Sequence, residues 1–323
     1  MKPYSQATLE QAARLVYEVM PPTPQYRWPG LEQRLGTEVW IKHENHTPLG
    51  AFKIRGGITY FDALKRRVPA VAGVVAATRG NHGQSIALAA QRAGMKAMVV
   101  VPHGNSIEKN AAMRARGVEL VEHGDDFQAA LEYARTIAET SGWHLVPSFD
   151  EALVAGVASY SLELFRAVPR LDVLYVPIGL GSGICGAIAA RDALGLKTEI
   201  VGVGAVAAPA YHASFEAGRP ISSNVAPTVA DGMACRVPVP GALDVILRGA
   251  ARIVAVDERE IRQAMRTLFT ETHNVAEGAG AAASAAAVQE RATLRGKRVA
   301  VVLSGGNVDR DVFARILAEE PQA

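Results

Sequence analysis

Cysteine is nearly absent: Cys185 and Cys235 are the only two in 323 residues. That excludes a disulfide-stapled secreted scaffold and fits a reducing cytoplasm. An excess of one charge is missing as well, with 34 Lys and Arg against 32 Asp and Glu and a formal net charge of +2. No basic run is long enough to form an arm, so neither nucleic acid nor an anionic membrane surface is expected as a partner. No stretch approaches the roughly 18 uninterrupted apolar residues of a membrane span. The opening MKPYSQATLEQAARLVYEVM has an amphipathic, acid-bearing pattern without the apolar centre of a signal peptide. Asn45 begins an NHT triplet, but without a secretory route it matches a glycosylation site by spelling only. No repeat of fixed period is evident.

What the chain does hold is 49% hydrophobic and 20% charged residues, enough for a sizeable core and against disorder. Strand-like runs alternate with helical patterns: TEVWIKHE, AGVVAAT, KAMVVVP, VELVEHG, LDVLYVPI, TEIVGVGA, ARIVAV and KRVAVVLS read as strands. Between them NHGQSIALAAQRAG, SIEKNAAMRARG, DFQAALEYARTIAETSG, residues 153–167, ICGAIAARDALG and DEREIRQAMRTLFTET read as helices. Such alternation predicts parallel sheets covered on both faces. Roughly eight to ten strands exceed one doubly wound sheet, so the fold class is α/β with two domains. The Ala-rich run 279–287 reads as a tightly packed helix rather than low complexity.

Four segments share one topological address, the end of a strand or the start of a helix, where open α/β sheets bind ligands. In VPIGLGSGICGAIAA (176–190), Gly179, Gly181, Gly183 and Gly186 lead from a strand into a helix. Glycines there let several backbone N–H groups converge beside a helix N-terminus, an arrangement suited to phosphate. From Gly181 the run also spells G-x-G-x-x-G, so a dinucleotide has to be weighed. That reading wants an acid at the end of the next strand, where Gly204 and Ala205 stand instead. In AATRGNHGQS (76–85), the turn around Gly80, Asn81 and His82 suits a small carboxylate, or simply an N-cap by Asn81. VLSGGNVD (302–309) delivers Ser304 into a glycine turn. In NHTPLGAFKIRGG (45–57), Lys53 follows Phe52 and precedes Arg55 by two positions. An amine that loses water beside Arg55 and under Phe52 has its pKa lowered and can form a Schiff base.

Together these parts are those needed to hold pyridoxal 5′-phosphate. AFKIRGG, GNHGQS, GLGSG and LSGGNVD, in that order, resemble the motifs of the serine/threonine dehydratase family of fold-type II pyridoxal-phosphate enzymes, which includes serine racemase. PSFDEALVAG and VADGMA resemble further landmarks of that family. The resemblance covers nearly the whole chain and implies a tryptophan-synthase-β-like fold of two doubly wound α/β domains with mostly parallel sheets. It places residues 1–50 and 149–323 in a large cofactor-binding domain and 51–148 in a smaller, mobile one.

The resemblance implies that Lys53 carries the cofactor and moves the α-proton. Phe52 would pack near the ring, Asn81 would bond its phenolic oxygen, and Ser304 would face its pyridine nitrogen. The backbone of Gly179, Leu180, Gly181, Ser182 and Gly183 would hold the phosphate, and Glu277 would lie near the ring or serve only as a helix N-terminal acid. Thr78, Arg79, Gly80, Asn81 and His82 would bind the substrate carboxylate. Two departures matter. Arg79 stands where serine racemase has a proton-transferring serine, and a guanidinium cannot act as a base; it would pair with a substrate carboxylate or point to solvent. Gly204 and Ala210 replace two carboxylates that bind a divalent cation in some relatives, so no metal is expected.

About fourteen residues follow SGGNVD, which points to a catabolic form without a regulatory domain. The expected activity is a β-eliminating ammonia-lyase, with threonine or serine the default substrate and phenylserine, 3-hydroxyaspartate or a hydroxylated diamino acid open, in a cytoplasmic homodimer. Residues 154–160 and 231–237 would line the substrate pocket, with Arg236 a second candidate for a substrate carboxylate. A β-replacement synthase or racemase of the same fold, a nicotinamide dehydrogenase, and a non-catalytic amino-acid sensor are the alternatives.

Overall fold

The computed structural model describes residues 3–225 and 227–319. Its strands, in chain order, are β1 (Gln25–Arg27), β2 (Glu38–His43), β3 (Gly73–Ala77), β4 (Lys96–Val101) and β5 (Glu119–Glu122). They continue with β6 (His144–Leu145), β7 (Val173–Pro177), β8 (Glu199–Ala205), β9 (Arg252–Val256) and β10 (Arg298–Leu303). The helices begin with α1 (Gln6–Tyr17), α2 (Pro29–Leu35), α3 (Lys53–Arg67), α4 (Asn81–Ala93), α5 (Ile107–Arg114) and α6 (Phe127–Ser141). The second half adds α7 (Glu151–Ala167), α8 (Ser182–Ala193), α9 (Ala210–Ala217), α10 (Pro240–Gly249), α11 (Glu258–Thr272), α12 (Gly278–Gln289) and α13 (Arg310–Ala318).

Two sheets result. One has six strands in the order β1-β2-β10-β7-β8-β9, the other four in the order β5-β4-β3-β6. Every pairing is parallel except that of β1 with β2. The all-buried strand β3 (GVVAA) shows why alternation was lacking there: helices cover both faces, so neither side of the strand meets water. The elements missed in the sequence are β1, β6, α2, α9, α10 and α13, which are short or weakly patterned; α2 and α10 each begin at a proline, a start signal that was readable. The Ala-rich segment is α12, buried from Gly278 to Ala287 and packed on α11 and on β7 and β10. With no large side chain it lets both neighbours approach closely.

Helices α3 and α7 cross almost backbone to backbone. A Cβ on Gly156 would lie 2.3 Å from the carbonyl oxygen of Arg55, so only glycine fits. Residues 154–160 are buried in this packing and do not border the cavity around Lys53. The expectation that they line the substrate pocket is therefore corrected: they support it from behind.

Beneath that crossing lies a buried ionic network. Arg55, 0% exposed, donates through Nε to Glu44 (2.7 Å), and through Nη1 to Glu163 (2.6 Å) and Ser159 (2.8 Å). Lys42 Nζ reaches Glu163 at 2.6 Å. A helix turns about 100° per residue, so positions 53 and 55 point to opposite sides. Arg55 thus faces away from the Lys53 amine, which overturns the expectation that the two bases sit together. Burial alone would raise the Glu163 carboxyl, but Arg55 and then Lys42 hold it below its ordinary value. Replacing Arg55 by leucine leaves two buried carboxylates short of their counter-charge. The expected cost is about 3–5 kcal/mol in urea unfolding at neutral pH. Because the Glu163 pKa is depressed in the fold, its stabilisation is complete above the ordinary carboxylate range. It fades as acid drives pH down through the lowered value, so a pH series of unfolding midpoints should fall there and Glu163→Gln should flatten that fall.

Candidate active site

Three loops converge at the strand C-termini. The first follows β7. Gly181, at φ 100°, is the N-cap of α8, and Ser182 is the first helical residue. The first-turn N–H groups of α8 therefore have no intrahelical acceptor and face the loop. A Cβ on Gly179 would come within 2.3 Å of the Gly232 carbonyl oxygen, which keeps that position bare. Two tyrosines brace the loop: Tyr160 donates to the Gly183 carbonyl and Tyr211 to that of Leu180, each at 3.1 Å.

The second loop follows β3. Thr78 Oγ1 accepts from the N–H groups of Gly80 (2.9 Å) and Gly83 (3.2 Å), drawing the turn tight. Gly80 is the N-cap of α4, so Asn81 is not, and the capping reading of Asn81 is corrected. Its side chain instead donates to Glu277 at 2.6 Å and accepts from Asn307 at 2.9 Å. The N–H groups of Asn81 and His82 are left without an intrahelical partner. His82 is neutral, its imidazole pushed down to about 3 by burial first and by the nearby Lys53 charge second.

Lys53 opens α3 and points between these loops. Its Nζ donates to Ser182 Oγ at 3.0 Å and lies 4.8 Å from the centre of the Phe52 ring. Loss of water lowers its pKa to about 8, and burial is the whole cause; Arg55 contributes nothing. Ser304, 5% exposed at the end of β10, has its Oγ 3.4 Å from the Ala279 carbonyl oxygen. Glu277 precedes α12 but makes no capping bond, so the reading as a mere helix-start acid is corrected: its carboxylate faces the pocket.

Lys109 was missed. Its Nζ sits between Asp231 (2.7 Å) and Glu277 (2.9 Å), and it is 5% exposed. A signal was available, since a lysine in the first turn of a helix opposes the macrodipole and wants another reason to be there. Burial works against its charge, but the two carboxylates outweigh it and hold the amine protonated. With one cation between two acids, burial and Asp231 push the Glu277 carboxyl above its ordinary range. Lys53, Phe52, Thr78, Arg79, Gly80, Asn81, His82, the 179–183 loop, Glu277 and Ser304 thus border one cavity of about 110 Å³. A larger cavity, about 1100 Å³, lies among α2, α11 and α12 and contains none of these motif residues.

Residues 16–305 match the model of the family described as pyridoxal-phosphate dependent enzyme. The chain belongs to that family. Within it, the chain is 35% identical over 291 residues to the L-threonine ammonia-lyase of Thermotoga maritima, covering 89% of this chain and 71% of that protein. It is 32% identical over 316 residues to the catabolic L-threonine dehydratase of Escherichia coli, covering 95% and 93%. Among solved structures, the processed threonine deaminase isoform 2 of Solanum lycopersicum superposes with a TM-score of 0.88 at 27% identity, over 99% of this chain and 96% of that one. These matches set the protein among the serine/threonine dehydratases of fold type II.

The residues present fit the family's cofactor. A desolvated amine, a bare glycine cradle with free N–H groups and a buried neutral hydroxyl are what an aldehyde, a phosphate and a heterocycle require. The nicotinamide reading finds no support, since β8 ends at Ala205 without a carboxylate for a ribose. The Lys53 shift carries a pH consequence. In the apoprotein the amine releases its proton at about pH 8, whereas in the unfolded chain it does so near 10.4. The unfolded state binds the extra proton between those values, so apoprotein stability should rise with pH across that window. Unfolding midpoints from pH 7.5 to 10.5 should show the rise, and Lys53→Met should remove it.

Proposed function

We propose that the protein is a β-eliminating ammonia-lyase that converts a β-hydroxy-α-amino acid to a 2-oxo acid and ammonia. Threonine, serine, phenylserine and 3-hydroxyaspartate are the substrate candidates. The observation that carries the reading is the Lys53 amine, desolvated and 3.0 Å from Ser182, held between two sets of free helix-start N–H groups. Lys53 would hold pyridoxal phosphate, the 179–183 backbone and Ser182 its phosphate, Ser304 its ring nitrogen, and Asn81 its phenolic oxygen, with Phe52 and Glu277 near the ring. The bound cofactor supplies an electron sink that makes the substrate α-proton acidic.

The chain's own groups account for the remaining chemistry. The Asn81 and His82 N–H groups, at the positive end of α4, bind the substrate carboxylate, and neutral His82 adds no competing charge. Lys53 Nζ, with its pKa near working pH, takes the α-proton. The resulting ammonium, already hydrogen-bonded toward Ser182, returns a proton to the departing β-hydroxyl, which leaves as water. Ser304 offers the ring nitrogen a hydroxyl rather than a carboxylate, which favours expulsion of the leaving group over a long-lived carbanion.

Arg79 weighs against racemisation, because a guanidinium cannot take a proton from the opposite face. A β-replacement synthase would use the same pocket; formation of a thioether when a thiol is supplied would favour it. We further propose that residues 51–148 form the mobile unit that closes over the site. We also propose that the enzyme acts as a homodimer in the cytoplasm, where the thiols of Cys185 and Cys235, both buried and unpaired, stay reduced. Among the described residues no helix is long and apolar enough to cross a membrane.

Release of 2-oxo acid from the four candidates tests the reading. Lys53→Ala should lower turnover by about 10³-fold or more, as expected for loss of a covalent and proton-transferring group. Full activity in that variant, or turnover of none of the substrates by wild-type enzyme, would refute it.

A further inference from the structure

Arg79 is the residue of the site that the family resemblance does not explain. It borders the 110 Å³ pocket and also a neighbouring cavity of about 520 Å³, the two joined along Arg79, Phe127, Leu180, Asp231, Ala234 and Cys235. Its Nε is buried and has no hydrogen-bond partner among the described residues. The residue as a whole is half-buried, so the guanidinium is only partly withdrawn from water. The other cations around it are accounted for: Lys109 lies between Asp231 and Glu277, and Arg236 pairs with Asp126 at 2.5 Å. Arg236 is thus already engaged by a carboxylate of the protein, in an exposed pair. The same pairings occupy Asp126, Asp231 and Glu277, while Asp125 is exposed to water.

A guanidinium nitrogen withdrawn from water without an acceptor is costly, and an incoming anion relieves that cost. The two ends of an α-amino acid already have receivers in the reading above: the α-carboxylate at the first turn of α4, and the amine at the aldehyde that Lys53 would hold. What remains for Arg79 is the group carried on Cβ. We propose that Arg79 is a specificity determinant that binds a carboxylate on the substrate's β-carbon, so that the enzyme prefers a β-hydroxy-α-amino dicarboxylic acid such as 3-hydroxyaspartate. The planar fork of arginine matches a carboxylate with two parallel hydrogen bonds, which a lysine in its place cannot reproduce. This inference rests on the ammonia-lyase reading for its substrate frame.

The test uses the holoenzyme. Values of kcat and KM are measured for threo-3-hydroxyaspartate, threonine, serine and phenylserine in wild type, Arg79→Ser and Arg79→Lys. Wild type should favour 3-hydroxyaspartate over threonine in kcat/KM. Arg79→Ser should lower that ratio by ~30-fold or more, chiefly through KM, as expected when one partner of a buried charge pair is removed. Arg79→Lys should restore part of it. A wild-type preference for threonine or phenylserine, or an equal loss on all substrates in Arg79→Ser, would overturn the proposal. Calorimetric binding of succinate against butyrate adds a readout that needs no turnover: succinate should bind more tightly to wild type, and Arg79→Ser should erase the difference. If no hydroxy-amino acid is turned over, the ammonia-lyase reading fails, and equal binding of succinate and butyrate would then sink the role of Arg79 as well.

Discussion

The guanidinium of Arg55, fixed among Glu44, Glu163 and Ser159, sets the first turn of α3 and with it the direction of Lys53. Two residues on one helix are made to do opposite things. One is fully charged and saturated with partners in the core; the other is half-buried at the pocket and left with a single hydroxyl contact. The helical angle between them makes the separation possible, and the bare contact of Gly156 against the Arg55 carbonyl keeps α3 from shifting. Breaking a buried ionic network is expensive, so the reactive amine inherits its rigidity from a charge cluster that never touches substrate.

Around that amine the pocket is built from backbone more than from side chains. Helices α4 and α8 both start just past a parallel strand and direct their unsatisfied N–H groups inward, giving two anion seats without spending a cation on either. That economy is what makes Arg79 conspicuous, since it is a cation of the pocket whose Nε has no hydrogen-bond partner among the described residues. The Lys109 cluster performs a different task. It ties α5 to Asp231 and Glu277, elements that belong with the six-stranded sheet, so the wall behind the site joins both halves of the molecule.

Much of this was legible in the sequence because strand, turn and glycine signals are local. The alternation predicted the parallel sheets, the four motifs fell at strand ends or helix starts as expected, and the Ala-rich run proved a core helix. What was not legible depends on direction and distance. AFKIRGG places Lys53 and Arg55 two letters apart, and only the helix shows that they face away from each other. The run 154–160 looked like a pocket wall because it is apolar and small; those same properties suit it to close helix packing. Lys109 announced itself only through an unfavourable position in its helix, and its two acids lie over a hundred residues away in sequence.

The sheet order has a consequence for how the catalyst comes into being. Strand β10, the last of the ten, lies between β2 and β7, and Ser304 stands at its end. The larger sheet therefore stays open in its middle until residues 298–303 are in place. Contacts of such long sequence separation form late and slowly. The pocket that Ser304 helps to line is thus complete only once this central strand has joined its two neighbours, which ties the making of the site to the closing of the sheet.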